Sequence, residues 1–307
     1  MIKKIGAIDV GTNTFHLLIA SWNSETNQFE EEIRKRFFVK LGAKNICHIE
    51  PDAYTRGLNA MVDFAKLLQE YQVEEVKAYG TSAIRNADNA DQFILEVKSK
   101  TGIQIQKISG DKEADLILKG TKLSIPFDDQ PVLIMDVGGG SVEFIIANKN
   151  ELFFAQSYKV GVAILKNIFH QQEPISTTQL EKLNLYLGKN LHSLIRKVNE
   201  LKPNLLVGAS GTFDVLEAAL AGTGLSPSAN KLDTSHLNLF IDKVISKTLE
   251  ERKLLDDIPE SRADFIVVGL LIIDFIWRLT DYKDLVVSKY SMKEGILQEI
   301  IERQNQR

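Results

Sequence analysis

The chain has 307 residues, 44% apolar and 25% charged, which excludes a disordered or low-complexity polypeptide and allows two domains of ordinary size. A formal net charge of −4 excludes the basic field of a general nucleic-acid binder. Cys47 is the single cysteine, so no internal disulfide can form and a reducing compartment is expected.

No charged segment followed by an apolar h-region opens the chain, so no secretory signal is expected, and the location is expected to be cytoplasmic. The first predicted element is a hairpin over residues 5–20, Ile-Gly-Ala-Ile-Asp-Val-Gly-Thr-Asn-Thr-Phe-His-Leu-Leu-Ile-Ala. Helical spacing of Leu58, Met61, Val62, Ala65 and Leu68 predicts a helix over 52–71. A short strand at 76–79, a turn at Gly80-Thr81-Ser82 and a helix near 89–100 follow. The segment Ile108 to Leu116 reads as a strand end running into a helix start. Pro126, Asp128, Asp129 and Pro131 mark a join, with domains expected over 1–124 and 125–307 and a hinge near 120–130.

A second hairpin then repeats the first over residues 132–147, Val-Leu-Ile-Met-Asp-Val-Gly-Gly-Gly-Ser-Val-Glu-Phe-Ile-Ile-Ala. Without a gap, Asp9 falls on Asp136, Val10 on Val137, Gly11 on Gly138 and Thr14 on Ser141. Leu180, Leu183, Leu187, Leu191, Leu194 and Val198 predict one helix over 177–201, with Thr178 and Glu181 as its capping box. A strand at 205–207, a turn at 208–212 and a helix near 213–221 complete the repeat. The apolar run 266–273 predicts a buried helix and is far short of the ~20 residues that span a bilayer. A last helix near 293–307 is expected to pack back on the first domain.

Both halves thus run hairpin, strand, helix, strand, helix, which implies mixed sheets with helices against them. Two such turns facing one another across a cleft would present two phosphate cradles and two acids to one ligand. Glycines 138–140 can take positive φ and leave their N–H groups unshielded, which suits an anion. An isolated glycine-rich turn is more often a plain hairpin; the duplicated acid–glycine pattern favours phosphate binding. Asp136 and Glu143 are hard oxygen donors of the kind Mg²⁺ prefers, and Asp9 is their counterpart in the first copy. Thr12, Asn13 and Thr14 offer side-chain donors where the second copy has glycine amides. Gly211 and Thr212 add a further small-residue turn to the candidate phosphate set. Arg85, just after a strand, is a candidate for bidentate phosphate binding. Asp111, Glu113 and Asp115 in a first helical turn need mean no more than complementing the helix dipole. No P-loop, dinucleotide fingerprint, nucleophile elbow or metal-ligand histidine spacing occurs.

Taken together, Asp9-Val-Gly-Thr-Asn-Thr-Phe-His, Gly80-Thr-Ser-Ala-Ile-Arg85, Ile108-Ser-Gly-Asp-Lys-Glu113-Ala and Asp136-Val-Gly-Gly-Gly-Ser-Val-Glu143 resemble the exopolyphosphatase / guanosine pentaphosphate phosphohydrolase family. Ser261 to Gly269 and Met292 to Gly295 fit the same pattern, so the resemblance covers essentially the whole chain. It implies an α/β fold of two duplicated ribonuclease H-like (actin-like ATPase) domains with an interdomain cleft. It implies an exopolyphosphatase in which Glu113 is the general base, Arg85 holds terminal phosphates, Gly138, Gly139, Gly140 and Ser141 cradle phosphate, and Asp136 and Glu143 hold Mg²⁺. The alternatives are guanosine pentaphosphate 5′-phosphohydrolysis, a kinase of the same fold, or a non-catalytic nucleotide- or polyphosphate-binding regulator. A homodimer is a family-based expectation; neither nucleic acid nor membrane is expected as a partner.

Three departures from the pattern bear on the substrate. Lys112 stands where the family often has a glutamate, Ile164 where an arginine is usual, and Lys40 where an arginine precedes Leu41-Gly42. The chain also stops near residue 307 without the C-terminal helical domains of long members, so a shorter substrate or lower processivity is expected.

Overall fold

In each repeat two apolar strands flanking a short turn pair as an antiparallel hairpin, and each hairpin is built into one sheet. The computed structural model describes residues 2–26, 28–42 and 46–306. It divides into two compact units, Met1–Gly120 with Ser291–Arg307, and Thr121–Tyr290.

The first unit contains β1 (Ile2–Val10), β2 (Phe15–Asn23), β3 (Gln28–Phe37), α1 (Pro51–Glu70), β4 (Glu75–Gly80), α2 (Ser82–Asn86), α3 (Ala90–Thr101), β5 (Ile105–Lys107) and the start of α4 (Gly110–Ser124). Its sheet runs β3-β2-β1-β4-β5, antiparallel among the first three strands and parallel from β1 through β4 to β5. Because strand side chains alternate between faces, Ile8, Val10, Phe15, Leu17 and Ile19 enter a cluster with Met61, Phe64 and Phe93 of α1 and α3. The other face receives the last helix, α13 (Met292–Asn305), which packs on β1, β2 and β4 with Ile296, Leu297, Ile300 and Ile301 fully buried. Ser291 and Glu294 form its capping box. Glu294 is wholly buried and also accepts from Arg34 Nη2 at 2.7 Å, so one carboxylate ties the cap of α13 to β3.

The second unit contains β6 (Val132–Val137), β7 (Val142–Ala147), β8 (Leu152–Tyr158), α5 (Val162–Phe169), α6 (Thr177–Asn190), α7 (His192–Leu201), β9 (Leu205–Ala209), α8 (Gly211–Ala219), β10 (Gly222–Ser226) and β11 (Ala229–Leu232). A 3₁₀ turn at Thr234–His236 leads into α9 (Leu237–Ile245), α10 (Leu249–Lys253), α11 (Glu260–Ala263), α12 (Ile266–Trp277) and β12 (Asp284–Ser288). The sheet order is β10-β11-β12-β9-β6-β7-β8. Its part β8-β7-β6-β9-β12 repeats the five strands of the first unit with the same directions. The apolar run of α12 packs among α5, α6, α8 and α9. Among the described residues no helix is long and apolar enough to cross a membrane.

Two local expectations change. The helix expected over 177–201 is two helices that meet at Leu191, whose φ of −97° and ψ of 16° leave the helical region. The cap of α6 is Ser176 with Gln179, two residues before the expected Thr178 pair. Both sets have the same Ser/Thr-x-x-Glu/Gln spacing, so the sequence signal alone is degenerate.

Candidate functional site

The two hairpin turns share one geometry. Gly11 N–H donates to the Thr14 carbonyl at 3.1 Å and Gly138 N–H to the Ser141 carbonyl at 2.9 Å. A Cβ on Gly11 would lie 2.8 Å from Thr14 O, and one on Gly138 2.7 Å from Ser141 O. Neither glycine has positive φ. The positive φ open to Gly138, Gly139 and Gly140 is not adopted there; at Gly11 and Gly138 glycine is required by the closeness of the opposing carbonyl.

In the second unit the turn is fixed from behind by α5. Val162 N–H donates to Gly138 O at 3.0 Å and Ala163 N–H to Gly139 O at 2.8 Å. A peptide's C=O and N–H point in opposite directions, so the N–H groups of Gly139 and Gly140 point away from α5. Among the described residues these two amides donate to no protein acceptor. Gly161 allows the contact, since a Cβ there would come within 2.4 Å of Gly139 O. The result is a pair of forward-facing donors of the kind an anion needs.

Beside them, Asp136 and Glu143 are direct cross-strand partners, which puts their Cβ atoms about 5 Å apart on one face. Glu143 is 2% exposed, and Ser157 Oγ of β8 donates to its Oε1 at 2.6 Å. Mg²⁺ is usually held by one or two carboxylates, with substrate phosphate and water completing the shell, so this donor pair fits it. Among the described residues no group of three or more potential ligands gathers into a closed metal cage. Ser210, at φ 106°, joins β9 to α8 in a conformation that costs a non-glycine residue of order 1–3 kcal/mol. Its hydroxyl accepts Val137 N–H at 3.2 Å, holding the residue after Asp136. Gly211 lies under the Arg262 guanidinium, and Thr212 is buried against Gly269.

In the first unit, Thr12 is 3% exposed and its Oγ1 accepts Ala83 N–H at 3.2 Å. That hydroxyl thus anchors α2, the short helix that carries Arg85. Asn13 Oδ1 is buried with no hydrogen-bond partner among the described residues. His16 Nε2 lies 3.0 Å from Thr14 Oγ1. Ser109 starts α4, its Oγ accepting Lys112 N–H at 3.1 Å and its carbonyl accepting Glu113 N–H at 3.0 Å. This cap presents the Glu113 carboxylate to Arg85, whose Nη1 donates to Glu113 Oε2 at 2.5 Å and to Ile108 O at 3.1 Å. Both bonds leave from Nη1, so Nη2 and Nε retain donors for a phosphate.

Several contributors carried no local sequence signal. Glu299 of α13 accepts from Lys77 Nζ at 2.6 Å, from Tyr79 Oη at 2.5 Å and from Lys112 Nζ. Burial pushes the Glu299 carboxyl up, but these three hydrogen bonds outweigh it and hold the pKa at about 2. Lys112, the neighbour of Glu113, is thereby drawn to α13. Ser157, Ser210 and Glu299 all act across long sequence separations, where periodicity is silent.

Comparison with known proteins identifies the family. The family model described as the Ppx/GppA phosphatase family matches residues 25–304. A putative exopolyphosphatase of Haemophilus influenzae is 25% identical over 296 residues, which cover 96% of this chain and 91% of that protein. A Vibrio cholerae guanosine-5′-triphosphate,3′-diphosphate pyrophosphatase is 26% identical over 296 residues, and this chain spans only 59% of its length. The crystal structure of an exopolyphosphatase from Cytophaga hutchinsonii superposes with a TM-score of 0.93 at 33% identity, covering 98% of both chains. The chain belongs to the Ppx/GppA phosphatase family.

Proposed function

We propose that this family member is an exopolyphosphatase, releasing orthophosphate from the end of inorganic polyphosphate by hydrolysis of the terminal phosphoanhydride bond. The observation that carries this reading is the Arg85–Glu113 pair at 2.5 Å, in which a carboxylate is oriented by a guanidinium that still has donors to spare. Phosphoryl transfer to water needs positioning and charge neutralisation more than covalent chemistry. Glu113 takes a proton from the attacking water, which adds to the terminal phosphorus while the bond to the bridging oxygen breaks. The shortened chain leaves as its phosphate anion. In the first unit Arg85 binds phosphate oxygens, with Gly11, Asn13 and Thr14 as its cradle; in the second unit the amides of Gly139 and Gly140, with Ser141, form the equivalent cradle.

Asp136 and Glu143 of the second unit would hold Mg²⁺, and Asp9 is the matching acid of the first unit. When bound, the ion neutralises charge on phosphate oxygens. Thr12 acts by anchoring α2, and Gly211 and Thr212 by seating the start of α8 beside Ser210. Low cysteine content supports a cytoplasmic setting. The relative from Vibrio cholerae supports guanosine pentaphosphate as a second substrate, since it too ends in a terminal phosphoanhydride.

The test is phosphate release with Mg²⁺ from long-chain polyphosphate, short-chain polyphosphate, guanosine pentaphosphate and ATP, with Glu113→Gln in parallel. Release from polyphosphate is expected, falling about 10²–10⁴-fold in the variant. Undiminished release by Glu113→Gln would remove Glu113 as the base. Release from the guanosine substrate alone would reassign the activity.

A further inference from the structure

We propose that His16 is a positioning residue of the first phosphate turn, resting on the phosphoanhydride reading above: its Nε2–H donates to Thr14 Oγ1 and leaves the Thr14 hydroxyl proton to donate to a substrate phosphate oxygen. The two atoms are 3.0 Å apart. A threonine hydroxyl has one proton and two lone pairs, and a phosphate oxygen of the substrate accepts only. If Thr14 donated to the imidazole, only lone pairs would face the phosphate, and they would repel it. With the proton on Nε2, donation runs in one direction from imidazole to hydroxyl to phosphate, and each bond polarises the next.

The duplicated scaffold shows why an imidazole stands here. Across the first sheet, one row of directly opposed residues runs Arg36, His16, Asp9, Tyr79. The matching row of the second sheet runs Ser157, Glu143, Asp136, Ala209. Where the second unit has an acid held by a hydroxyl, the first has an imidazole opposite a guanidinium. The second row sets two acids side by side, which suits a cation; the first sets a single acid beside an imidazole and a guanidinium, so its turn meets the phosphate through donors. Packing does not call for histidine at this position. Phe15 and Leu17 point into the core cluster, while His16 lies half-buried on the opposite face.

A double-mutant cycle on tripolyphosphate affinity tests the assignment, measured by calorimetry in a Glu113→Gln background so that ligand is not consumed. Thr14→Val and His16→Leu are each expected to weaken binding about tenfold, the range for a hydrogen bond to a charged group. The double variant is expected to bind no more weakly than either single, because both changes break one chain of bonds. His16→Gln, whose amide N–H reaches the position of Nε2, is expected to stay within about threefold of the parent, with an unchanged unfolding midpoint. Losses that multiply to about a hundredfold in the double variant would overturn the proposal. So would a Gln variant as weak as the Leu variant, or a chain that does not bind tripolyphosphate. If the wild-type chain binds tripolyphosphate without releasing phosphate, the hydrolase reading fails while the cycle still decides the role of His16.

Discussion

Replacing Glu299 by glutamine perturbs the first unit at one atom group and leaves its shape intact. The wild-type carboxylate receives Lys77, Tyr79 and Lys112, and its pKa is held at about 2 against an ordinary value of 4.5. A shift of that size is worth at most about 3.5 kcal/mol at neutral pH, since each unit of pKa is about 1.4 kcal/mol. Lys112 is one-third exposed, so screening reduces the expected contribution to about 1–2 kcal/mol. The folded pKa lies below the unfolded one. The stabilisation is therefore complete above about pH 5 and disappears as pH falls from 4.5 towards 2. Urea unfolding followed at pH 7 and at pH 3 reads this directly. At pH 7 Glu299→Gln is expected to lower the midpoint by about 0.3–0.7 M, taking a slope of about 3 kcal/mol/M for a chain of this size. At pH 3 the gap between wild type and variant should narrow. Equal stability at pH 7, or a gap that stays constant down to pH 3, would refute the claim that Glu299 is held ionised by its three partners.

Two further outcomes follow from the second unit. Gly138→Ala places a methyl 2.7 Å from Ser141 O, so it should destabilise by about 1–3 kcal/mol and raise KM for polyphosphate, read from thermal unfolding and steady-state rates. Arg252 is fully buried, paired through both Nη atoms with Glu173 at 2.7 and 2.8 Å, and bonded to the carbonyls of Lys247 and Ala263. Arg252→Ala takes the guanidinium away from both carbonyls and from Glu173, which keeps His170 Nε2 at 3.3 Å, and denaturant titration should show a loss of about 3 kcal/mol.

The repeat was legible because its signals are local. Two apolar strands, a carboxylate and a small-residue turn lie within sixteen residues in each copy, and strand pairing across a short turn follows from them. The buried helix α12 was legible for the same reason, from an uninterrupted apolar run. Cap positions were less so: Ser176 and Thr178 obey the same rule, and only the direction in which the chain enters α6 selects between them.

By itself the sequence determined that two hairpins of one design carry acids and small-residue turns, and hence the class of ligand they suit. Backbone sterics and side-chain alternation act over a few residues and need no distant partner. Tertiary structure alone decided which face of the first sheet α13 covers and that it brings Glu299 to Lys112, 187 residues away. It also decided that Arg85 orients Glu113, and that Ser157 and Ser210 brace the second turn. Such contacts depend on how whole elements pack, and a side chain's spacing along the chain does not record which distant group it meets.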